Sequence, residues 1–300
     1  MAKKKKIHFT VHMPWQRRLR YLSEAAFVYL LWGFFKILPV TWASAIAGST
    51  LKFIGPKLAA SRKAFNNIAD AFPEKTADEH QEILVGMWEN LGRVVGEYPH
   101  LNKIWERTEV IGGDHLHALK KSGKSGILFG GHFSNWEVQP LVTVNHGLDV
   151  GIVYRKPNNP YVADLIYKTR CKTGNSIQIE KSAKGARQLT QILKKDGIVG
   201  MLMDQKLNQG MPIPFFGRDA MTAPSLGQFS LKFDATVIPI QIARKQGVSF
   251  KATVYPPMKI QKTGDKEADV RKVLTEMNQY FEDWIRENPD QWLWLHRRWH

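Results

Sequence analysis

The chain has 300 residues, 43% of them hydrophobic, so it can bury a sizeable core and does not belong to the disordered or fibrous classes. Its single cysteine, Cys171, can form neither an internal disulfide nor a multi-thiolate metal site, which excludes disulfide-stapled and zinc-finger classes. A formal charge of +16 predicts an anionic partner, whether nucleic acid, membrane surface, phosphorylated substrate or acidic protein.

The N-terminal region is both basic and apolar. The first twenty residues carry seven Lys or Arg and no acid, and residues 25–40 are the most apolar stretch of the chain. That stretch contains Lys36, ends at Pro39, and is shorter than the roughly 20 apolar residues of a transmembrane helix. We expect residues 20–56 to form membrane-attaching helices that lie on the surface or, when tilted, span the bilayer; a buried core helix is the alternative.

After residue 60, helical and strand-like segments follow one another. Residues 61–105 have helical spacing interrupted at Pro73, and a last helical face over 270–285 is terminated by Pro289. Helical stretches at 161–173 and 184–195 alternate with short apolar runs at 126–129, 150–154, 176–179, 198–203, 236–243 and 248–254. The alternation predicts an α/β fold with a mixed, largely parallel sheet flanked by helices, whose last two strands form an antiparallel pair at one edge. We divide the chain into an attaching segment, 1–60, and a catalytic domain, 61–300.

Several familiar active-site motifs are missing from the sequence. Gly123-Lys124-Ser125 resembles the end of a P-loop, but Ala118 stands where that motif needs glycine. The sequence has no G-x-G-x-x-G after a strand, no G-x-S-x-G and no H-E-x-x-H. Dinucleotide enzymes, serine hydrolases of that fold and zincins are therefore disfavoured, and we expect no metal site and no bound cofactor.

The best candidate site is the segment Gly130-Gly131-His132-Phe133-Ser134-Asn135-Trp136-Glu137, which directly follows the apolar run 127–129. A strand that stops at two glycines presents His132 in a loop at the carboxyl end of the sheet, where α/β proteins bind ligands. An imidazole there can accept a proton, and a carboxylate on its other nitrogen would fix its tautomer. Glu137 is within reach if the chain turns into a helix, although Ser134-x-x-Glu137 also spells a helix capping box.

This segment resembles the H-x4-D/E signature of the lysophospholipid acyltransferase superfamily, in the Glu form typical of bacterial lipid A late acyltransferases. Four further segments agree in order: YRKPNNP at 154–160, MDQK at 203–206, PFFG at 214–217 and PDQWLWLHRRW at 289–299. The resemblance implies a glycerolipid acyltransferase-like fold and transfer of a fatty acyl chain from acyl carrier protein to a hydroxyl of a phosphorylated, sugar-based lipid A precursor. It also implies that His132 deprotonates the hydroxyl, that Glu137 orients His132, and that the catalytic domain lies at the cytoplasmic face of a bacterial inner membrane. The two acidic partners and an anionic membrane surface would account for the positive charge.

Five further residues are candidates for substrate binding. Arg155 and Asn159 follow the strand that ends at Tyr154, so we expect both at the rim beside His132, with Arg155 suited to a phosphate or to the thioester oxygen. Three more follow the strand at 198–203, namely Asp204, Gln205 and Lys206. Three roles stay open for Asp204: it holds Lys206 or Arg155 in place, it contacts the acceptor, or it is structural.

The Trp-rich segment 292–299 leaves alternatives open. By composition its indoles could stack on bases, which keeps single-stranded RNA binding as an alternative from another class of function. With the resemblance, we expect the segment to pack a helix end or to lie at the lipid interface, with no nucleic-acid partner. A phospholipid-directed acyltransferase is the closer alternative within the enzyme class.

Overall fold

The computed structural model describes residues 13–174 and 177–299. The basic residues at positions 3–6 and Ser176, part of one predicted strand, lie outside them. The helices are α1 (Trp15–Ile37), α2 (Val40–Ile54), α3 (Ala59–Ala71), α4 (Ala77–Glu97), α5 (Leu101–Trp105), α6 (Asp114–Ser122), α7 (Val138–Asn145), α8 (Pro160–Lys172), α9 (Ala183–Leu193), α10 (Ser225–Phe233) and α11 (Lys266–Glu287). The strands are β1 (Thr108–Ile111), β2 (Gly126–Gly130), β3 (Val150–Tyr154), β4 (Gln178–Glu180), β5 (Ile198–Leu202), β6 (Lys206–Phe215), β7 (Arg218–Thr222), β8 (Thr236–Gln246) and β9 (Ser249–Val254).

Seven strands form one twisted sheet in the order β1-β9-β8-β2-β5-β3-β4. The β8–β9 pair is antiparallel and the other neighbours are parallel, which confirms the predicted mixed, largely parallel sheet. Successive residues of β2 point to opposite faces: Ile127 and Phe129 join one apolar core with α11, and Leu128 joins another with α6 and α7. Helices therefore cover both faces of the sheet, and β2 lies near its centre.

Two parts of the sheet prediction need correction. The antiparallel pair β8–β9 does not form the edge, because β1 pairs with the outer side of β9. The apolar pattern misses β1 since its residues, TEVI, alternate between half-buried and exposed positions. The apolar pattern also misses the separate β6–β7 hairpin, because Pro212 and Pro214 interrupt the strand pattern there. The hairpin is held in place by the Asn278 amide of α11, which donates to the Pro214 carbonyl at 2.9 Å.

The N-terminal segment is helical, as predicted, and α2 packs closely on α4. A Cβ added at Gly96 would lie 2.2 Å from the carbonyl oxygen of Ala43, so only glycine permits this approach. The opposite surface is apolar and open: thirteen exposed large hydrophobic residues of the described chain lie between Trp15 and Leu58, and three lie elsewhere. Among the residues described, no helix combines the length and the apolar character needed to cross a membrane. The predicted boundary at residue 60 falls at the start of α3.

Candidate active site

Strand register brings the candidate residues to one edge of the sheet. Leu128, Gly200, Ile152 and Gln178 form one row across β2, β5, β3 and β4. Because these strands are parallel, residues at equal distances beyond the row lie side by side. His132 and Asp204 each lie four positions beyond it, and Arg155 and Lys181 each lie three beyond it. The carboxyl edge of the sheet thus brings together residues that are far apart in the sequence.

His132 and Asp204 form a doubly hydrogen-bonded pair. The His132 backbone N–H donates to Asp204 Oδ2 at 2.9 Å, and Nδ1 of its ring lies 2.8 Å from Oδ1. Gly131 suits this crowded loop, since an added Cβ would lie 2.7 Å from Phe133 Cε2 and 3.1 Å from Asp204 Cγ. The His132 side chain is 17% exposed and that of Asp204 3%, so the ring reaches solvent while the carboxylate stays buried behind it.

Trp292 completes the surroundings of Asp204. Its indole N–H donates to Asp204 Oδ2 at 2.8 Å. Burial raises the pKa of the Asp204 carboxyl, but the charge of His132 and the hydrogen bonds from His132 and Trp292 outweigh burial and lower that pKa to about 2. Asp204 is therefore an anion at neutral pH, which fixes a proton on His132 Nδ1 and leaves Nε2 as the acceptor. Trp292 was missed as a site residue, although a buried indole N–H needs an acceptor.

Glu137 does not orient His132, which corrects the contact implied by the H-x4-E signature. Its carboxylate binds the Arg170 guanidinium through Nε at 2.9 Å and Nη2 at 2.5 Å. Arg170 also lies over the ring of Tyr154, 5.5 Å from its centroid. Burial and then the Glu137 charge raise the pKa of Tyr98, so its hydroxyl stays protonated beside this pair. Glu137 thus lines the same cavity as His132 but holds a different partner.

The capping box at Ser134 does not form either. Helix α7 begins at Val138, so Glu137 stands at its N-cap position instead of three residues inside it, and it makes no side-chain cap. Ser134 has a φ of +51°, a conformation that non-glycine residues rarely adopt. Its N–H donates to the Gln291 carbonyl at 2.7 Å and its carbonyl accepts from the Asn90 amide at 3.1 Å. These bonds hold the loop in a turn, so the alternative that the capping box offered, a helix starting after Ser134, does not occur.

A buried charged network lies beneath this loop. Glu97, at the end of α4, is fully buried and accepts from the Asn135 amide at 2.8 Å and from the Ser44 hydroxyl of α2 at 2.7 Å. Its charge is paired with Arg244 of β8, which donates to Glu97 through both terminal nitrogens and to Asn90 through Nε at 3.1 Å. The Glu97–Arg244 pair thus connects α2, α4 and β8 to Asn135, which lies three positions after His132.

The accessible nitrogen of His132 faces a cavity of about 200 Å³. Gln205 lines this cavity, and its amide nitrogen lies 3.4 Å from His132 Nε2 and 3.0 Å from Nε2 of His296. The side chains of Ile152 and Leu202 supply part of its apolar wall. A hydroxyl placed in this cavity would take over the long contact that Gln205 makes with His132 Nε2, and this nitrogen could then accept its proton as a general base.

The other predicted binding residues fall into two groups. Arg155 lines the His132 cavity, as expected, and with Lys206 it also lines an adjacent one. Asn159 is not at the rim, which corrects that prediction: its Oδ1 accepts from the first turn of α8, and its amide donates to the Tyr21 carbonyl at 2.8 Å and to Glu24 at 3.1 Å. It is turned away because it caps α8 and ties that helix to α1.

The Trp-rich segment is partly interior to the protein, with His296 and Arg297 exposed. Trp292 and Trp294 are at most 1% exposed, and Phe133 pairs with Trp292 through an isolated β-bridge. Arg298, also buried, donates to Thr222 and Asn278 at 3.0 Å each. The segment packs against the active-site loop, and its two buried indoles offer no free ring face for base stacking. The RNA-binding alternative thereby loses the feature that supported it.

Sequence comparison shows which known proteins this chain is similar to. Residues 12–300 match the family model for bacterial lipid A biosynthesis acyltransferases. The chain is 23% identical over 304 residues to a lipid A biosynthesis acyltransferase of Haemophilus influenzae, a match covering 97% of this chain and 92% of that protein. It is 26% identical over 242 residues to the lipid A biosynthesis lauroyltransferase of Escherichia coli K12, covering 77% and 76% of the two chains. It is 22% identical over 245 residues to the myristoyltransferase of the same organism, covering 78% and 73%.

The matched residues include the His132 loop, the strand ends around it and the Trp-rich segment behind Asp204. Since the match extends over nearly the whole sequence, the chain belongs to the bacterial lipid A biosynthesis acyltransferase family, and it is an acyltransferase.

Proposed function

We propose that this acyltransferase moves a fatty acyl chain from an acyl carrier protein thioester to a hydroxyl of a lipid A precursor, with His132 as the general base. The observation that carries the proposal is the His132–Asp204 pair, whose Nε2 faces the cavity between the strand ends and contacts only the Gln205 amide, at 3.4 Å, among the described residues. Family membership supports lipid A as the acceptor class. The chemistry needs neither a metal nor a bound cofactor.

The reaction balances with these groups alone. His132 Nε2 takes the proton of the acceptor hydroxyl, and the oxygen attacks the thioester carbonyl carbon to form a tetrahedral intermediate. When the carbon–sulfur bond breaks, the departing thiolate takes the proton back from the imidazolium, so the base is regenerated. Asp204 is a positioning residue, because it holds the tautomer and stabilises the imidazolium without touching substrate.

Glu137 has a separate role in this proposal. Its pairing with Arg170 keeps both charges fixed in the wall of the cavity, where they shape the space next to His132. The donor's acyl chain enters along the apolar part of that wall, beside Ile152 and Leu202. Loss of Glu137 would leave the Arg170 charge buried and unpaired in the wall of the substrate cavity.

The proposed location is the cytoplasmic face of a bacterial inner membrane, with α1 and α2 lying on the lipid surface. The exposed apolar residues recur on α1 at three- and four-residue spacing, for example Phe27, Leu30, Phe34 and Ile37. Such a stripe fits a helix lying in the interface plane. Lys36 and Lys57 lie over the rings of Trp32 and Phe53, at 4.7 Å and 3.7 Å, so basic groups accompany the apolar surface.

The test compares His132→Ala with wild type, using purified protein, acyl carrier protein loaded with a fatty acid, and a lipid A precursor. Mass spectrometry of the lipid product identifies both the acylated molecule and the rate. We expect the variant to be slower by about 10² to 10⁴, as for loss of a general base. His117→Ala is the matched control, since His117 is exposed and does not line the cavity.

Three results would contradict the proposal. If His132→Ala transfers the acyl chain at the wild-type rate, His132 is not the general base. Acylation of a phospholipid in preference to the lipid A precursor would favour the alternative acceptor. Equal rates with a coenzyme A thioester and with the carrier protein would remove the carrier from the assignment.

A further inference from the structure

Helix α9 and the two residues after it present only basic charges to solvent. Residues 183–195 contain four Lys or Arg and no acid, since Glu180 and Asp196 lie just outside this stretch. The four basic residues are all exposed: Lys184, Arg187, Lys194 and Lys195. None of them forms an ion pair with another residue that the structure describes. We call this set of four the basic face of α9.

The helical repeat places these cations on one side of α9. Steps of three and four residues lead along the exposed side, through Lys184, Arg187, Gln191 and Lys194. The buried side carries Leu189 and Leu193, which pack in the same apolar core as α11. The basic face therefore points away from the sheet, and from Lys184 to Lys194 it extends over roughly 15 Å, at 1.5 Å of rise per residue.

The basic face begins near the mouth of the His132 cavity. Helix α9 connects the parallel strands β4, which ends at Glu180, and β5, which begins at Ile198. It therefore starts at the carboxyl edge of the sheet and runs back toward the opposite edge. Lys181, three residues before Lys184, lines the His132 cavity. A partner that lies along α9 would hold a flexible arm next to that cavity.

Lys184 stands where the helix itself disfavours a cation. It lies in the first turn of α9, close to the positive end of the helix dipole, and that turn contains no acid. The turn is well formed, because the Ser182 hydroxyl accepts from the Gly185 N–H at 3.1 Å. Local stability would favour an acid at this position, so the cation conflicts with the helix that carries it. An anionic partner bound along α9 would resolve the conflict.

We propose that the basic face of α9 is the surface on which the acidic carrier protein docks to deliver its thioester. The inference rests on the proposed function and adds the location of the donor protein, outside the substrate cavity. A row of exposed charges of one sign complements an acidic surface of the partner, speeds their encounter and fixes their orientation. The arm that carries the thioester then enters the cavity past Lys181.

The fold separates this face from the apolar surface of α1. Helix α1 is tied to α8, because the Asn159 amide donates to the Tyr21 carbonyl, and α8 is tied to the N-cap of α7 by Arg170 and Glu137. Helices α7 and α9 pack in different apolar cores, on opposite faces of the sheet. Helix α9 also exposes no large hydrophobic side chain that could enter a bilayer. We therefore commit to a protein as the partner, and a lipid surface is an outcome of the test.

The direct test is calorimetric titration with unloaded carrier protein, in which no acyl transfer occurs. The variant Lys184→Glu/Arg187→Glu reverses two charges of the basic face. The matched control, Lys121→Glu/Lys124→Glu, changes the net charge equally at exposed residues that precede β2, at the opposite edge of the sheet. We expect the α9 variant to bind the carrier protein about tenfold more weakly, and the control and His132→Ala to bind it as wild type does. Added salt should weaken binding by wild type more than binding by the α9 variant.

Initial rates show whether the loss is confined to the donor protein. KM for the loaded carrier protein should rise about tenfold in the α9 variant, while kcat and KM for the acceptor stay the same. A fatty acyl pantetheine thioester keeps the arm but lacks the protein. With this donor, the α9 variant and wild type should react at equal rates, which also shows that the variant is folded.

The outcomes separate this inference from the proposed function. If wild type does not bind the carrier protein, the donor assignment and the docking face are both overturned. Equal binding by wild type and the α9 variant would overturn the docking face alone. Weaker flotation of the α9 variant with anionic vesicles, together with unchanged binding of the carrier protein, would overturn it in favour of a lipid contact.

Discussion

Asp204→Asn is the most informative single change at the site. The amide oxygen of Asn can replace Oδ2, which accepts from the His132 backbone and from Trp292. The amide NH₂ then faces His132 Nδ1, where Oδ1 stood 2.8 Å away. Because an NH₂ group only donates, Nδ1 must become an acceptor and the ring proton moves to Nε2. The nitrogen that should receive the substrate proton is then already occupied.

The size of the effect follows from two contributions. The pKa of Asp204 falls from 3.8 to about 2, which corresponds to about 2 kcal/mol of preference for the ionised carboxylate beside a charged ring. Loss of that stabilisation slows transfer by about 10- to 100-fold. The unfavourable tautomer slows it further, so we expect a total loss of about 10³ to 10⁴, as when an Asp that orients a catalytic His becomes Asn.

The assay is the initial rate of acyl transfer across a range of pH, for wild type, Asp204→Asn and Trp292→Phe. The phenylalanine variant keeps the carboxylate and removes one of its donors, so it should lose about tenfold or less. A folded Asp204→Asn protein with more than a tenth of the wild-type rate would refute the role of Asp204.

The same pKa shift gives a prediction about stability. A carboxyl whose pKa is lower in the folded protein stabilises that state at pH values above its unfolded pKa, and this stabilisation disappears as the pH falls through the folded pKa. For Asp204 the contribution should be complete above about pH 4 and lost as the pH approaches about 2. Urea unfolding of wild type and Asp204→Asn should therefore differ by about 2 kcal/mol at neutral pH and converge in acid. A difference that grows as the pH falls would contradict the sign.

Three further changes test features outside the His132–Asp204 pair. Glu97→Gln leaves the charge of Arg244 buried without its partner, and should lower the free energy of unfolding by about 3–5 kcal/mol, measured by urea denaturation. Asn159→Ala removes a helix cap and should lower the free energy of unfolding by about 1 kcal/mol, measured by thermal or urea denaturation. KM for both substrates should stay the same. A raised KM would show that Asn159 contacts substrate after all. Replacing both Phe27 and Leu30 with Ser should weaken binding to anionic vesicles, measured by flotation, about 100-fold. A single Ser at an exposed apolar strand position should leave flotation unchanged. If the double variant floats as well as wild type, α1 does not face the lipid.

The strands around the site could be predicted because their residues are buried on both faces. β2 and β5 are short, continuous apolar runs, and their predicted ends agree with the observed ends to within one residue. β6 is mostly half-buried or exposed and contains two prolines, so no apolar run marks it. The same holds for β1, whose outward side chains are polar or exposed. Burial, more than propensity, decides which strands a sequence reveals.

The partner of His132 illustrates what sequence spacing leaves out. Only four residues separate His132 from Glu137, and such proximity made Glu137 the expected partner. Asp204 is 72 residues away and becomes a neighbour only because β2 and β5 pair in parallel with matched ends. Knowing the strand order would have identified Asp204 from the same sequence. Arg170 and Trp292 carry no such signal, since one lies within a helix and the other in an irregular segment.

The segment 289–299 reaches the site from beyond the last strand and the last α-helix described, and it contributes Trp292 behind Asp204 and Arg297 in the lining of the cavity adjacent to that of His132. The Asn67 amide secures it by donating to the carbonyls of Trp294 and His296, each at 2.8 Å. During synthesis on the ribosome, the sheet and both its helical layers leave the exit tunnel before these residues do. A nascent chain can therefore complete most of its fold while Asp204 still lacks its indole donor. Catalytic competence would therefore arise only once residues 289–299 have emerged and packed behind Asp204, later than the pairing of the strands.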